Sequence, residues 1–386
     1  MARRIPQTDV LRSVPEQGHL VRNGGYVVDE KGEKWFGRGL TMFLLYARFL
    51  RGEDIRLQLA WGRGVGANYL RVFGPVPVPP WRNEWSFYTK PTTEGLGDFF
   101  DLLASHGLRC EFVPVCSPWP IAVAQPYLQQ CFALAGARWN VMIECTNEPG
   151  QTGTFHENLH DLIDPIERHG VLSATGVAYR LNDRDARAVL GIPRMQHFWQ
   201  AHWLDYGTIH LPRDRSFATN ASALRNWRDG EGEAEGSGRA AWDDEPYRVD
   251  EGRTFPGLED FVSHFALAGI SGGASLVHFD VGREATIPEA GSLQDRVIRE
   301  TSRIWQFIPA IATTGRYVTG NSADFPLEWK PEDSTVGHAC ASWVGEVGWC
   351  VNSLPPAGWR ARPKPGVMIV DEGSRPWILK VTKSAR

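Results

Sequence analysis

The sequence has little of what usually announces a nucleotide, a nucleic acid or a membrane. Its 386 residues contain no phosphate loop and no strand-borne Gly-x-Gly-x-x-Gly, which leaves nucleotide hydrolysis and dinucleotide redox chemistry without their usual cradles. The formal net charge is only −4, from 41 basic and 45 acidic side chains. A nucleic-acid partner calls for a basic excess, so none is expected. No run approaches the roughly eighteen apolar residues that a spanning helix needs, so no membrane insertion is expected either. The basic start, MARRIPQTDVLRSVPEQGHL, lacks the apolar stretch of a secretory signal. The expectation is a cytoplasmic protein, or one released by lysis or carried on a particle. The six cysteines form no Cys-x-x-Cys and no Cys/His cluster at zinc spacing. Cys110, Cys116 and Cys145 lie in or beside apolar runs and read as reduced, buried thiols. A bridge between Cys340 and Cys350 is left open.

What is abundant is tryptophan, with 16 residues, against a background of 40 Gly and 26 Pro. Several Trp fall in loops, and exposed aromatic faces suit the C–H faces of sugars, although core packing explains most of such a set. The chain opens, after an N-terminal extension (1–17), with a hairpin signal in GGYVVDEKGEKWFGRGL, centred on Asp29-Glu30-Lys31-Gly32. Strand and helix patterns then alternate. The strands are read in WFGRGLTMF, ANYLRVFG, LRCEFVPV, NVMIECTNEP, VLSATGVAYR, YGTIHLPRD, RAAWDDEPYR and GGASLVHFDVG. Each is followed by apolar residues at three- and four-residue spacing, as in Leu258, Phe261, Val262, Phe265 and Ala266. The strands are short and mostly apolar, as when both faces are covered. Eight such units over one stretch predict a (β/α)8 TIM barrel over 18–313, the fifth unit being the poorest strand. From 314 to 386 short β-like runs separated by Gly, Pro and polar turns predict a small antiparallel β domain. The fold class is therefore α/β with a C-terminal β domain.

Chemistry in such a barrel sits at the C-terminal ends of the strands. Glu148, in Asn147-Glu148-Pro149, ends the fourth strand, and Glu245, in WDDEP, ends the seventh. Strands four and seven face each other across the mouth of a closed eight-strand barrel. Two carboxylates so placed suit glycosidic bond cleavage, in which one donates a proton to the leaving oxygen and the other attacks or shields the anomeric carbon. A spacing of about 5–5.5 Å predicts retention and about 6.5–9.5 Å inversion. Asp243 and Asp244 compete with Glu245, and strand alternation turns Asp243 the same way as Glu245. Each acid also has an ordinary reading as a favourable charge at a helix start, and Arg71 one as a structural ion-pair partner. His156-Glu157-Asn158-Leu159-His160 puts two histidines one helical turn apart, but no clear third ligand accompanies them and no metal is expected.

The fourth-strand TNEP and the seventh-strand Glu resemble the clan A retaining glycoside hydrolases, the cellulase, mannanase and β-galactosidase-like group. The resemblance implies Glu148 as acid/base, Glu245 as nucleophile and Asn147 as the amide that binds the sugar 2-hydroxyl. It further implies that Arg71, in NYLRVF, hydrogen-bonds the nucleophile, and that His210, in TIHLPRD, lines the sugar site. His278 is read as a second lining residue. Trp119, Trp199, Trp203 and Trp242 lie near predicted strand ends, one or two of them expected to stack on sugar and the rest to be core. The implied substrate is an oligo- or polysaccharide, with no metal or organic cofactor. This chain departs from the group's pattern where Leu211 and Pro212 replace the Tyr expected after His210, with Tyr206 or Tyr247 as substitutes. It departs again where His278-Phe279-Asp280 stands in place of an eighth-strand Trp. Those departures motivate an alternative, an inactive saccharide-binding barrel working with assembly partner proteins, as in a phage virion or tail.

Overall fold

A computed structural model describes residues 18–76, 91–149, 159–178, 201–210, 224, 228, 238–243, 274–277 and 287–305 of the barrel region. Beyond it the described residues are 316–319, 323, 325–328, 339–344, 346–352, 362–371 and 378–383. Every structural statement below concerns these residues.

The chain enters through a hairpin, β1 (Val21–Asn23) with β2 (Tyr26–Val28), paired antiparallel. The pairing is one step earlier than the sequence suggests. Val28 meets Lys34 in a single antiparallel bridge across the Asp29 turn, where Asp29 Oδ1 accepts from the Lys31 and Glu33 amides at 2.9 Å. The chain after that turn does not continue the hairpin. It becomes the first barrel strand, β3 (Gly37–Thr41).

The parallel strands follow in order: β4 (Tyr69–Phe73), β5 (Arg109–Val113), β6 (Val141–Glu144), β7 (Ser173–Ala174), β8 (Gly176–Ala178), β9 (Gly207–His210), β10 (Ala241–Trp242) and β11 (Ala274–Val277). One parallel sheet runs β11-β3-β4-β5-β6-β7 and a second β10-β9-β8. The β11–β3 ladder joins the last barrel strand to the first. β7 and β8 are two halves of one strand interrupted at Thr175. Its first half pairs with β6 and its second with β9, so the fifth strand hands the ladder from one sheet to the next. This is the poor strand of the sequence, and the break accounts for its irregular pattern. β10 packs beside β11. The architecture is the expected TIM barrel.

Described helices are α1 (Leu45–Leu50), α2 (Arg56–Gly64), α3 (Leu96–Ser105), α4 (Ile121–Gly136), α5 (Leu159–Ile163) and α6 (Leu293–Trp305). α1 was not anticipated. Its Leu45, Tyr46 and Ala47 are buried, so the apolar run shows no amphipathic stripe. The helix expected over 258–270 lies outside the described residues. Among the described residues no helix is long and apolar enough to cross a membrane.

The barrel interior is layered. At its floor Trp35 lies against Tyr69 and Trp242, with centroids 5.6 and 6.3 Å apart, and Trp242 stacks on Tyr206 at 4.4 Å. Gly39 in β3 makes this possible, because a Cβ there would come within 2.4 Å of both Leu276 and Tyr69. Above the floor sits a charged layer from three adjacent strands: Arg71, Glu111 and Glu144, each fully buried. Beyond the barrel, β12 (Arg316–Thr319), β14 (Ala339–Val344), β15 (Val347–Asn352), β17 (Val367–Asp371) and β18 (Ile378–Lys383) form an antiparallel sheet in the order β12-β14-β15-β18-β17. A two-stranded pair, β13 (Leu327–Glu328) with β16 (Arg362–Pro363), lies apart from it in the ladder order. This region has its own small core of Phe325, Leu327, Ala341, Cys350 and Val381.

The Cys340–Cys350 bridge is not formed. Register pairs Cys350 with Ala341 and Cys340 with Val351, and Cys350 is a reduced, buried thiol. Cys110, Cys116, Cys131 and Cys145 are likewise reduced and buried. Burial pushes the Cys110, Cys131 and Cys145 thiols well above their ordinary range, which withholds the reactive thiolate. Iodoacetamide applied to the native protein should leave these five cysteines unmodified, and modify all of them after unfolding in guanidinium. Peptide mapping by mass spectrometry reads the result, and native labelling of Cys145 would contradict the packing described.

Candidate functional site

The stretch after β6 is pinned on both sides by neighbouring strands. Thr146 bridges Val115 in parallel fashion, and the Asn147 amide donates to the Val115 carbonyl at 3.2 Å. On the other side the Cys145 amide donates to Ala174, the Gly176 amide to Thr146 and the Glu148 amide to Gly176, at 2.7, 3.0 and 2.9 Å. Backbone amides of the motif are thus satisfied without a helix. Held this way, Glu148 has φ of 41°, a left-handed conformation that is uncommon for a residue with a Cβ and that tends to occur where function fixes the chain.

Beneath it lies a buried ion pair. Arg71 Nε donates to Glu144 Oε2 and Arg71 Nη2 to Glu144 Oε1, both at 2.8 Å. The same Nη2 donates to Asn147 Oδ1 at 2.8 Å. The guanidinium also lies 5.5 and 5.1 Å from the ring centroids of Phe43 and Phe73, which stack on each other at 4.0 Å. Both charges have zero side-chain exposure, so the two-pronged geometry and the aromatic contacts must offset a desolvation cost of several kcal/mol per ion. Glu111 stands beside Arg71 in the β4–β5 register and accepts from the Tyr206 hydroxyl at 2.8 Å.

At the mouth, His210 Nδ1 lies 2.7 Å from Glu148 Oε1. The His210 side chain is 7% exposed and that of Glu148 24%, so solvent reaches the carboxylate rather than the imidazole. The ring and the Glu144 carboxylate both crowd Gly176, where an added Cβ would sit 2.2 Å from Glu144 Oε1 and 3.2 Å from His210 Nε2. Glycine at the break in the fifth strand is what lets two strands bring these polar side chains so close.

The other residues anticipated from sequence divide into three groups. Asn147, Glu148, Arg71 and His210 come together as described, with Arg71 bound to Glu144 and Asn147. Of the four tryptophan candidates, one or two of which are expected to stack on sugar and the rest to be core, Trp203 and Trp242 fall among the core ones. Both are buried, at 0% and 2% exposure, Trp242 in the aromatic floor and Trp203 edge-on to His160. Tyr206, offered as a substitute near the mouth, instead precedes β9 at the opposite end of its strand and bonds Glu111. Asp243 follows β10 and is buried at 3% exposure. Trp119 stays partly exposed, edge-on to Tyr127. Glu245, Asp244, Tyr247, Trp199, His278, Leu211 and Pro212 lie outside the described residues, as does His156 of the paired histidines. His160 Nδ1 faces Asp164 at 3.4 Å, and no group of three or more metal-ligating side chains converges among the described residues.

Glu144, Glu111 and Gly176 were not singled out from the sequence. The signal was present: YLRVF and VMIE each place one charged residue, and RCEFV two, on strands otherwise built to be buried. A charge in that setting needs a partner, and three adjacent strands supply complementary ones.

Replacing Arg71 by Met should strand the Glu144 carboxylate and cost about 3–5 kcal/mol. Pairing Arg71→Met with Glu144→Leu should restore a large part of that loss. Chemical denaturation of the two single variants and the double variant checks this, and additive losses would show that the pair is not a coupled unit.

No protein-family model matches the sequence, and no curated protein matches it by sequence. Its fold does match solved structures. A glycoside hydrolase family 5 structure from Bacteroides vulgatus superposes over 88% of this chain and 80% of its own, with a TM-score of 0.58 and 16% identity. The catalytic domain of a mannanase from Streptomyces sp. SirexAA-E matches 78% of this chain and 97% of its own, with a TM-score of 0.52 and 14% identity. A β-glucanase from Saccharophagus degradans, in complex with cellotetraose, matches 77% and 98%, with a TM-score of 0.50 and 13% identity. At these identities the likeness is one of fold: the chain has the barrel of the family 5 glycoside hydrolases.

Proposed function

We propose that the protein is a glycoside hydrolase that cleaves β-glycosidic bonds of an oligo- or polysaccharide with retention of anomeric configuration. One observation carries the reading. Glu148 sits at the C-terminal end of the fourth strand in a left-handed conformation, its carboxylate on His210, with Asn147 beside it fixed by a buried ion pair. Active sites of this fold occupy that end of the barrel, and the similar structures are glycoside hydrolases. The assembly-component alternative gains no support from these likenesses.

In the proposed cycle Glu148 starts protonated, with His210 against its carboxyl group. Glu148 protonates the leaving glycosidic oxygen while Glu245, taken from the sequence reading, attacks the anomeric carbon. Bond cleavage leaves a glycosyl ester on Glu245 and a Glu148 carboxylate, which His210 Nδ1–H stabilises as its charge appears. Glu148 then takes a proton from water as that water attacks the anomeric carbon, the bond from that carbon to Glu245 breaks with Glu245 leaving as a carboxylate, and both carboxyls return to their starting states. Asn147 binds the sugar 2-hydroxyl.

The test is reaction with 2,4-dinitrophenyl 2-deoxy-2-fluoro β-glycosides of gluco, manno and galacto configuration, read by intact mass and peptide mapping. A covalent sugar on Glu245, absent in Glu245→Gln, is expected. Glu148→Gln should lower kcat by about 10²–10⁴-fold on natural linkages, with a smaller loss on substrates whose leaving group needs no proton. Release of the inverted anomer as first product, seen by proton NMR, overturns retention. Tight oligosaccharide binding without turnover or adduct overturns the enzyme reading.

A further inference from the structure

The buried charge beneath the site does more than hold the barrel together. Asn147 can place its amide in two ways related by a flip, one offering an acceptor to the mouth and the other a donor. The structure decides between them. A guanidinium only donates, so the oxygen of Asn147 must face Arg71, and Arg71 Nη2 lies 2.8 Å from Asn147 Oδ1. The position of Arg71 is set in turn by the two parallel bonds to Glu144, whose carboxylate accepts and never donates while ionised. The order Glu144, Arg71, Asn147 therefore runs acceptor, donor, acceptor, and it leaves Asn147 Nδ2 as the atom turned away from the pair. Among the described residues Nδ2 makes no hydrogen bond, and Asn147 keeps 8% exposure.

We propose that Glu144 is a positioning residue that, through Arg71, fixes Asn147 as a hydrogen-bond donor to the sugar hydroxyl beside the anomeric carbon. The proposal rests on the glycosidase reading above. Three features argue for positioning over stability alone. A buried ion pair is a poor source of stability compared with an apolar replacement. This one spends half of a guanidinium prong on the residue next to Glu148. The space for it is kept open by Gly176, where any side chain would collide with Glu144 Oε1. A donor locked in this way costs no reorientation when charge develops at the ring during bond cleavage.

The chemistry gives the test a readout that a structural role does not move. Turnover of the 2,4-dinitrophenyl β-glucoside, β-mannoside and β-galactoside is compared with that of their 2-deoxy counterparts, which lack the hydroxyl. In the wild type the 2-hydroxy substrate is expected to be the better one. Asn147→Ala should lose about a hundredfold in kcat/KM on the 2-hydroxy substrate and no more than about threefold on the 2-deoxy one. Glu144→Gln, far from the sugar and nearly the same shape, should show the same selectivity at about tenfold. Adding Asn147→Ala to Glu144→Gln should cost less than it costs the wild type. Equal losses on both substrates in Glu144→Gln overturn the relay and leave the glycosidase reading standing. Turnover of no glycoside by the wild type overturns the glycosidase reading and the relay with it. Glu144→Asp, which keeps the charge but shortens its reach, is read identically if the glutamine variant does not fold. Failure of both to fold assigns Glu144 to stability alone and overturns the proposal.

Discussion

A guanidinium with no exposure to water, bonded twice to one carboxylate, is the constraint around which the barrel interior is arranged. Such a pair survives burial only when its geometry is nearly ideal and its remaining donors are used. Arg71 meets the first condition through parallel bonds to Glu144 and helps meet the second with Asn147. Everything near it then has to fit. Phe43 and Phe73 close on the guanidinium. Glu111 alongside takes the Tyr206 hydroxyl, and Tyr206 is itself stacked on Trp242. A single electrostatic requirement thus links the aromatic floor to the mouth.

That link explains why the fifth strand is broken. A continuous strand with side chains at every position would put a Cβ at residue 176 into Glu144 and against His210. The sequence instead has Thr175-Gly176, and the ladder passes from β6–β7 to β8–β9 at this point. The same glycine lends its carbonyl to the Glu148 amide. Backbone irregularity and site geometry share one cause: the Glu144 carboxylate and the His210 ring are brought closer than a regular sheet allows.

Much of this was legible in sequence, and the limits have physical reasons. The eight strand segments were readable because buried parallel strands leave short apolar runs, and each described strand of the barrel falls inside its expected segment. Asn147 and Glu148 were readable as candidates because an amide, an acid and a proline close the fourth strand, at the end of the barrel where chemistry sits. α1 was missed because a helix buried over most of its surface loses the periodicity by which helices are recognised. Trp203 and Trp242 stood among four candidates close to strand ends in sequence, one or two expected to stack on sugar and the rest to be core. A two-residue strand such as β10, however, has its start and its end almost at the same height, so proximity to an end does not distinguish floor from mouth. The partner of Arg71 was missed for a different reason. Pattern reading treats each strand alone, whereas the pair joins β4 to β6 across an intervening strand.

The placement of Glu148 follows from the same packing. A left-handed residue with a Cβ costs on the order of 1–3 kcal/mol and persists only where its surroundings over-determine it. Here the surroundings are the Gly176 carbonyl on its amide, the bridged Thr146 before it and the His210 imidazole on its carboxylate. A solvated acid at a helix start needs none of these, because the macrodipole stabilises it without fixing its direction. The ordinary reading of Glu148 explains its charge but not the strained backbone, the ring held against one oxygen, or the buried pair orienting its neighbour. Under the proposed function, a group whose direction is fixed at some energetic cost, at the end of the barrel where chemistry occurs, faces the bond that it protonates.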